Sequence, residues 1–130
     1  MIYVIDHNDS FTHNVVHQFS LFDEVECDNY NQINKNKLKK ASVIVFSPGP
    51  GNPKNYPLTS KIYKQFKGKK KMIGICLGFQ QILFCEGAKI IEQPKNPTII
   101  PITLKKCILS LSNSSKNPLS IASLTINLHL

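Results

Sequence analysis

Arginine is absent from this chain: all 16 basic residues are lysine, set against 8 acidic residues for a formal net charge of +8. A charge of that size invites a nucleic-acid reading, yet the side chain that reads guanine bidentately is missing. The lysines also gather in two polar connections, Lys35-Lys37-Lys39-Lys40 and Lys67-Lys69-Lys70-Lys71. Solvated faces and loops have this composition, so no nucleic-acid partner is expected. No apolar run approaches the 18 or so residues that cross a bilayer, and the first residues carry no basic segment of a secretory signal. No membrane partner is expected, and the default setting is cytoplasmic. The four cysteines, Cys27, Cys76, Cys85 and Cys107, follow no zinc-ligand spacing. A reducing cytosol disfavours a disulfide framework, so each cysteine is judged by its own surroundings.

What is present, up to about residue 92, is an alternation of short apolar runs with helical stretches. Ile2-Tyr3-Val4-Ile5 and Val43-Ile44-Val45-Phe46 read as buried strands, as does Met72-Ile73-Gly74-Ile75. A weaker strand is expected over residues 24–28 and a last short one over 89–92. Helices are expected over residues 12–21, 35–40, 58–66 and 77–84. The first starts behind Asp9 and Ser10 as capping residues and presents Phe11, Val15, Val16, Phe19 and Leu21-Phe22 as its apolar positions. The third presents Leu58, Ile62 and Phe66. Strands alternating with helices imply an α/β fold: an open, mostly parallel, doubly wound sheet of flavodoxin-like type. In such a sheet ligands sit beyond the carboxyl ends of the strands.

The last stretch differs. Residues 96–130 contain no glycine, no aromatic residue and no Asp or Glu, and all eight acidic residues lie at or before Glu92. Short strands are conceivable at residues 99–104 and 121–128, without turn glycines or an amphipathic pattern to support them. The chain therefore divides into residues 1–95, which carry the α/β pattern, and a divergent tail over 96–130.

Two motifs fall at strand ends. The stronger is Gly74-Ile75-Cys76-Leu77-Gly78, followed by Phe79-Gln80-Gln81. A nucleophile between strand and helix needs a tight turn, and glycines two positions to either side let that turn close. The following helix aims its free N–H groups and positive dipole end at the thiol, favouring the anion that attacks carbon. The N–H of Leu77 is then placed for an oxyanion. The plain alternative is a small cysteine packed between strand and helix. That alternative is preferred for Cys85, which follows Ile82-Leu83-Phe84 without a glycine frame. The second motif is Ser47-Pro48-Gly49-Pro50-Gly51-Asn52-Pro53. Alternating Pro and Gly stiffen a loop whose backbone N–H groups form a nest for an oxyanion or carboxylate. By itself it would be a rigid turn; beside a cysteine elbow it gains as a ligand cradle.

Val4 to Thr12 (Val-Ile-Asp-x-x-Asp-Ser-Phe-Thr), Ser47 to Gly51 (Ser-Pro-Gly-Pro-Gly) and Gly74 to Gln80 (Gly-Ile-Cys-Leu-Gly-Phe-Gln) occur in that order. Together they resemble the class I glutamine amidotransferases, specifically the glutaminase subunit (component II) of anthranilate synthase and aminodeoxychorismate synthase. The resemblance covers roughly residues 1–95. It implies that Cys76 is the nucleophile that forms a γ-glutamyl thioester and releases ammonia. It implies oxyanion-hole N–H groups at Gly51 and Leu77, and glutamine-binding positions at Gly49, Pro50, Gly51 and Gln80. It further implies glutamine and a chorismate-binding synthase subunit (component I) as partners, with no metal and no cofactor on the glutaminase side. Asp9-Ser10-Phe11-Thr12 is a family signature that reads locally as a helix cap. Phe79 departs from the family, which carries a small residue or His there.

The family ends its catalytic set with a His-Pro-Glu segment, in which the His takes the thiol proton and the Glu orients it. The histidines here are His7, His13, His17 and His129, and none is followed by Pro and Glu. Surface or capping roles are expected for the first three. With the change of composition, this leads to the expectation of a chain truncated or frameshifted after about residue 95. Three other readings stand beside the working enzyme: a non-catalytic remnant that at most binds glutamine or the synthase subunit, another cysteine-elbow or flavodoxin-like protein, and nucleic-acid binding through the lysine clusters. The residues do not separate anthranilate from aminodeoxychorismate synthesis.

Overall fold

The computed structural model describes residues 1–88. The strand expected over residues 89–92, those over 99–104 and 121–128, the divergent tail and His129 lie outside the described residues. The described elements run β1 (Ile2–Asp6), α1 (Thr12–Ser20), β2 (Val25–Asn29), α2 (Lys35–Lys40), β3 (Val43–Phe46), a 3-10 turn (Pro53–Asn55), α3 (Pro57–Phe66), β4 (Lys71–Gly74) and α4 (Leu77–Cys85). The four strands form one sheet in the order β2-β1-β3-β4, and every pairing is parallel. This is the flavodoxin-like α/β arrangement expected from the alternating pattern.

The period of two along each strand sends side chains to opposite faces. Tyr3, Ile5, Ile44, Phe46 and Met72 share one face with Leu38 of α2, Ile62, Tyr63 and Phe66 of α3, and Ile82 of α4. Ile2, Val4 and Val45 share the other face with Val15 of α1, and Val16, Phe19, Ile73 and Ile75 pack against them. Each fully buried aliphatic or aromatic side chain contributes about 1.5–3 kcal/mol, so the sheet is held from both sides. Tyr3 has a second task. Its hydroxyl donates to Asp28 Oδ2 at 2.5 Å and accepts from the Asn34 N–H at 3.0 Å, fixing the entry to α2.

Three local expectations are revised. Asp9 and Ser10 do not cap α1; the cap position is Phe11, which has no side-chain bond to the helix. Asp9 instead accepts from the Phe11 N–H at 2.8 Å, and Thr12 Oγ1 donates to Asp6 Oδ1 at 2.8 Å. A turn tied to the end of β1 thus does the work of a cap. Helix α1 stops at Ser20, because the N–H groups of Phe22 and Asp23 both turn back onto the Phe19 carbonyl. That leaves Leu21 and Phe22 exposed rather than on the buried face. In α3 the buried set is Thr59, Ile62, Tyr63 and Phe66, while Leu58 is partly exposed. The helix begins at Pro57, and its inward stripe runs through the threonine and tyrosine.

The sheet topology decides where a site can form. From β1 the chain goes to β2 on one side and then returns to β3 on the other, so the order reverses between β1 and β3. The crevice beyond the carboxyl ends at such a reversal is the usual ligand position. Ile5 pairs with Phe46, and Phe46 with Gly74. The segments leaving β1, β3 and β4 therefore start level with one another, carrying His7, Ser47 and Cys76.

Candidate active site

Cys76 lies between β4 and α4 with φ 52 and ψ −111, a left-handed backbone that non-glycine residues rarely adopt. Strain of this kind costs about 1–3 kcal/mol and persists only where surrounding packing enforces it. The enforcement comes from two glycines. A Cβ on Gly74 would stand 2.5 Å from the carbonyl carbon and oxygen of Gly78. A Cβ on Gly78 would stand 2.1 Å from the Phe46 carbonyl oxygen. Helix α4 thus begins in direct backbone contact with β3, and the bond from Ile75 N–H to the Phe46 carbonyl, 3.0 Å, holds the turn against the same strand. Cys76 is an exposed residue, whereas Cys85 is half-buried beside the core. Cys27 is exposed as a residue, but burial of its thiol, with Asp6 and Asp28 nearby, pushes that group up to about 11.

The first N–H of α4 belongs to Leu77 and has no partner within the helix. The Leu77 side chain is buried and reaches the Pro-Gly loop: a Cβ on Gly49 would stand 2.6 Å from Leu77 Cδ2 and 2.5 Å from His7 Cβ. Gly51 takes φ 80. Asn52 caps the 3-10 turn that follows, its side chain accepting from Lys54 N–H while Asn55 Oδ1 accepts from Asn52 N–H at 2.9 Å. The Tyr56 hydroxyl donates to the Pro50 carbonyl at 2.7 Å. Residues 47–51 are therefore held at both ends and lie against the elbow. Gly49 and Leu77 are brought together; Pro50 and Gly51 belong to the same tethered loop.

Gln80 sits in the first turn of α4, its N–H donating to the Cys76 carbonyl at 3.0 Å, and it is exposed. Its neighbour Gln81 is fully buried. There Nε2 donates to Ser60 Oγ at 2.6 Å, fastening α4 to α3, and Oε1 has no partner. Phe79 is half-buried.

His7 was expected at a surface or capping position and is instead wholly buried. Its Nε2 lies 3.0 Å from Thr59 Oγ1 and its Nδ1 3.2 Å from the Ser47 carbonyl. Burial lowers its pKa to about 4, outweighing the Ser47 backbone contact and the Asp6 charge that act the other way. With both nitrogens engaged, His7 is no proton acceptor for Cys76. His13 and His17 are exposed on α1. Among the described residues no group of three or more His, Cys, Asp or Glu could hold a metal ion. No described helix is long and apolar enough to cross a membrane.

Comparison with known proteins decides the family. The profile "Glutamine amidotransferase class-I" matches residues 3–120, a span that includes the elbow and the Pro-Gly loop and continues past residue 95. The chain belongs to the class I glutamine amidotransferase family. Anthranilate synthase component 2 of Lactococcus lactis is 40% identical over 91 residues, covering 69% of this chain and 46% of that protein. The protein of the same name from Helicobacter pylori is 37% identical over 104 residues, covering 70% and 50%. The bifunctional protein TrpGD of Thermotoga maritima is 34% identical over 99 residues, covering 70% and 16%. The chain thus spans about half the length of the curated component 2 relatives it matches. In fold it is similar to a crystal structure from Thermoplasma acidophilum described as part of a GMP synthase, with TM-score 0.56 and 24% identity over 68% of this chain and 45% of the other.

Proposed function

We propose that this chain supplies the thiol half of a glutamine amidotransfer reaction. Cys76 Sγ attacks the carboxamide carbon of glutamine, and the carbonyl oxygen becomes an oxyanion facing the N–H groups of Leu77 and Gly51. Donors already aimed at a developing charge contribute a large part of such a rate enhancement. Collapse of the tetrahedral species expels ammonia and leaves a γ-glutamyl thioester, which water hydrolyses to glutamate and the free thiol. Gly49, Pro50, Gly51 and Gln80 are the proposed glutamine-binding positions. The proposed partner is a chorismate-using synthase subunit that takes the ammonia, with anthranilate the favoured product because the relatives carry that name; aminodeoxychorismate is the other. The proposed setting is the cytosol.

One observation carries this reading: the strained Cys76 between two glycines that admit no side chain, with the Pro-Gly loop packed against the next residue. A second reading, a non-catalytic form that binds glutamine or the synthase subunit, is favoured by a specific feature. Among the described histidines none is available to Cys76, since His7 is engaged at both nitrogens and His13 and His17 lie on the exposed face of α1. Loss of a triad base typically removes several orders of magnitude of rate.

Ammonia release from glutamine by the purified chain, with and without a synthase subunit, compared with Cys76→Ser, separates the two. Release that disappears in Cys76→Ser supports the enzyme, with its base drawn from outside the described residues. No release above Cys76→Ser, in a chain shown to be folded, rules out the enzyme, and glutamine or subunit binding measured on the same chain then tests the binding form.

A further inference from the structure

His7 is a buried titratable side chain that the proposed reaction does not use, and the geometry points to a task for it. We propose that His7 is a positioning residue: its imidazole sets the Ser47 carbonyl and, through it, the Gly49–Gly51 loop that the glutamine reading places against substrate. The inference rests on that reading of the site.

The hydrogen bonds settle the tautomer. The Ser47 carbonyl can only accept, so the proton lies on Nδ1, 3.2 Å away. In a neutral ring Nε2 then accepts, and Thr59 Oγ1 donates to it across 3.0 Å. Ser47 Oγ is already committed: it accepts from the His7 N–H at 2.9 Å and donates to the Pro48 carbonyl at 2.7 Å. His7 and Ser47 are therefore joined through both backbone and ring, at the point where the loop leaves β3. The ring is walled by Tyr56 edge-on, 4.9 Å between centroids, and by Tyr30, 6.2 Å and stacked. Tyr56 itself ties to the Pro50 carbonyl.

The loop has no slack between this assembly and the elbow. Gly49 lies between His7 Cβ and Leu77 Cδ2, both closer than a methyl group could be accommodated. A shift of the ring therefore passes to Gly49 and from there to Leu77, whose N–H faces the reacting carbonyl in the proposed reaction. His7 is wholly buried and touches no substrate in the proposed reaction. Its effect falls on how well the loop fits a ligand, not on the thiol itself.

The test uses the full chain and two alkylating probes, a glutamine-shaped γ-chloroketone and iodoacetamide, with labelling read at the Cys76 peptide by mass spectrometry. Asparagine carries an amide nitrogen where His has Nδ1 and keeps a donor for the Ser47 carbonyl. Glutamine reaches as far as Nε2 and lacks that donor. The expected result is half-saturation by the chloroketone near wild type for His7→Asn and raised about tenfold for His7→Gln, the equivalent of one buried hydrogen bond. Labelling by iodoacetamide stays unchanged in both. A general loss of packing would not be rescued by the smaller Asn, so equal shifts in the two variants, or none in either, overturn the proposal. If urea unfolding finds His7→Gln unfolded, His7→Leu carries the test, since it fills similar space with no donor for the Ser47 carbonyl. A rise of about threefold or more in half-saturation supports the proposal, and no change overturns it. Wild-type labelling that neither saturates nor prefers the L-chloroketone to the D-form identifies the glutamine reading as the failure, and the inference falls with it.

Discussion

Replacing Gly78 with alanine tests whether backbone contact between α4 and β3 builds the elbow. The added methyl carbon would lie 2.1 Å from the Phe46 carbonyl oxygen, 2.6 Å from its carbon and 2.7 Å from Phe46 Cβ. The obstacle is the backbone and buried side chain of a central strand, which has no alternative rotamer to adopt. Overpacking in a dense core costs about 1–3 kcal/mol, and more where neighbours are immovable. Against this, alanine at a helical position gains up to about 1 kcal/mol over glycine. With the cost at the upper end of that range, because the nearest atoms are backbone, the net loss is about 2 kcal/mol. Gly68 is the control: it has φ 75 and nothing within 4 Å of an added Cβ, so its replacement by alanine costs only the left-handed backbone, about 1 kcal/mol. Urea unfolding of the two variants gives the comparison directly. Gly78→Ala should also slow labelling of Cys76 by the glutamine-shaped chloroketone, because moving α4 off β3 moves Leu77 with it. A Gly78→Ala chain as stable as wild type would refute the claim that this contact holds the turn.

Acid should destabilise the fold through His7. Its folded pKa of about 4 lies below the ordinary 6.5, so the unfolded chain binds the proton first. Stability is full above about pH 6.5 and falls by roughly 3 kcal/mol as pH drops to about 4. His7→Asn should flatten that window in urea titrations, and an unchanged slope would show that His7 is not its source. Cys76→Gly should relieve the positive-φ strain and, after the added chain entropy of glycine, raise stability by about 1 kcal/mol while abolishing labelling at that position; thermal unfolding reads the sign. Tyr56→Phe removes the donor to the Pro50 carbonyl and should cost about 1 kcal/mol, with weaker chloroketone saturation and an unaltered iodoacetamide rate at Cys76.

Alternating apolar runs were enough to read the strands and the helices between them, because burial on both sheet faces demands runs such as Ile2-Tyr3-Val4-Ile5 and Val43-Ile44-Val45-Phe46. The glycines around Cys76 were legible for a similar reason: a turn that tight leaves no other residue type free to occupy them. Positions whose meaning depends on a distant neighbour were not legible. His7 reads locally as one more residue of a polar turn. Only the parallel pairing of β1 with β3 sets it against Ser47, and only the docking of α3 brings Thr59 to its far side. Gln81 likewise follows Gln80 without distinction in the sequence, yet the rotation of α4 exposes one and buries the other against Ser60. The sequence by itself determined the elements and the chemistry available at their ends. Tertiary structure decided which polar side chains meet, since hydrogen bonds between residues 40 and 52 positions apart leave no periodic trace along the chain.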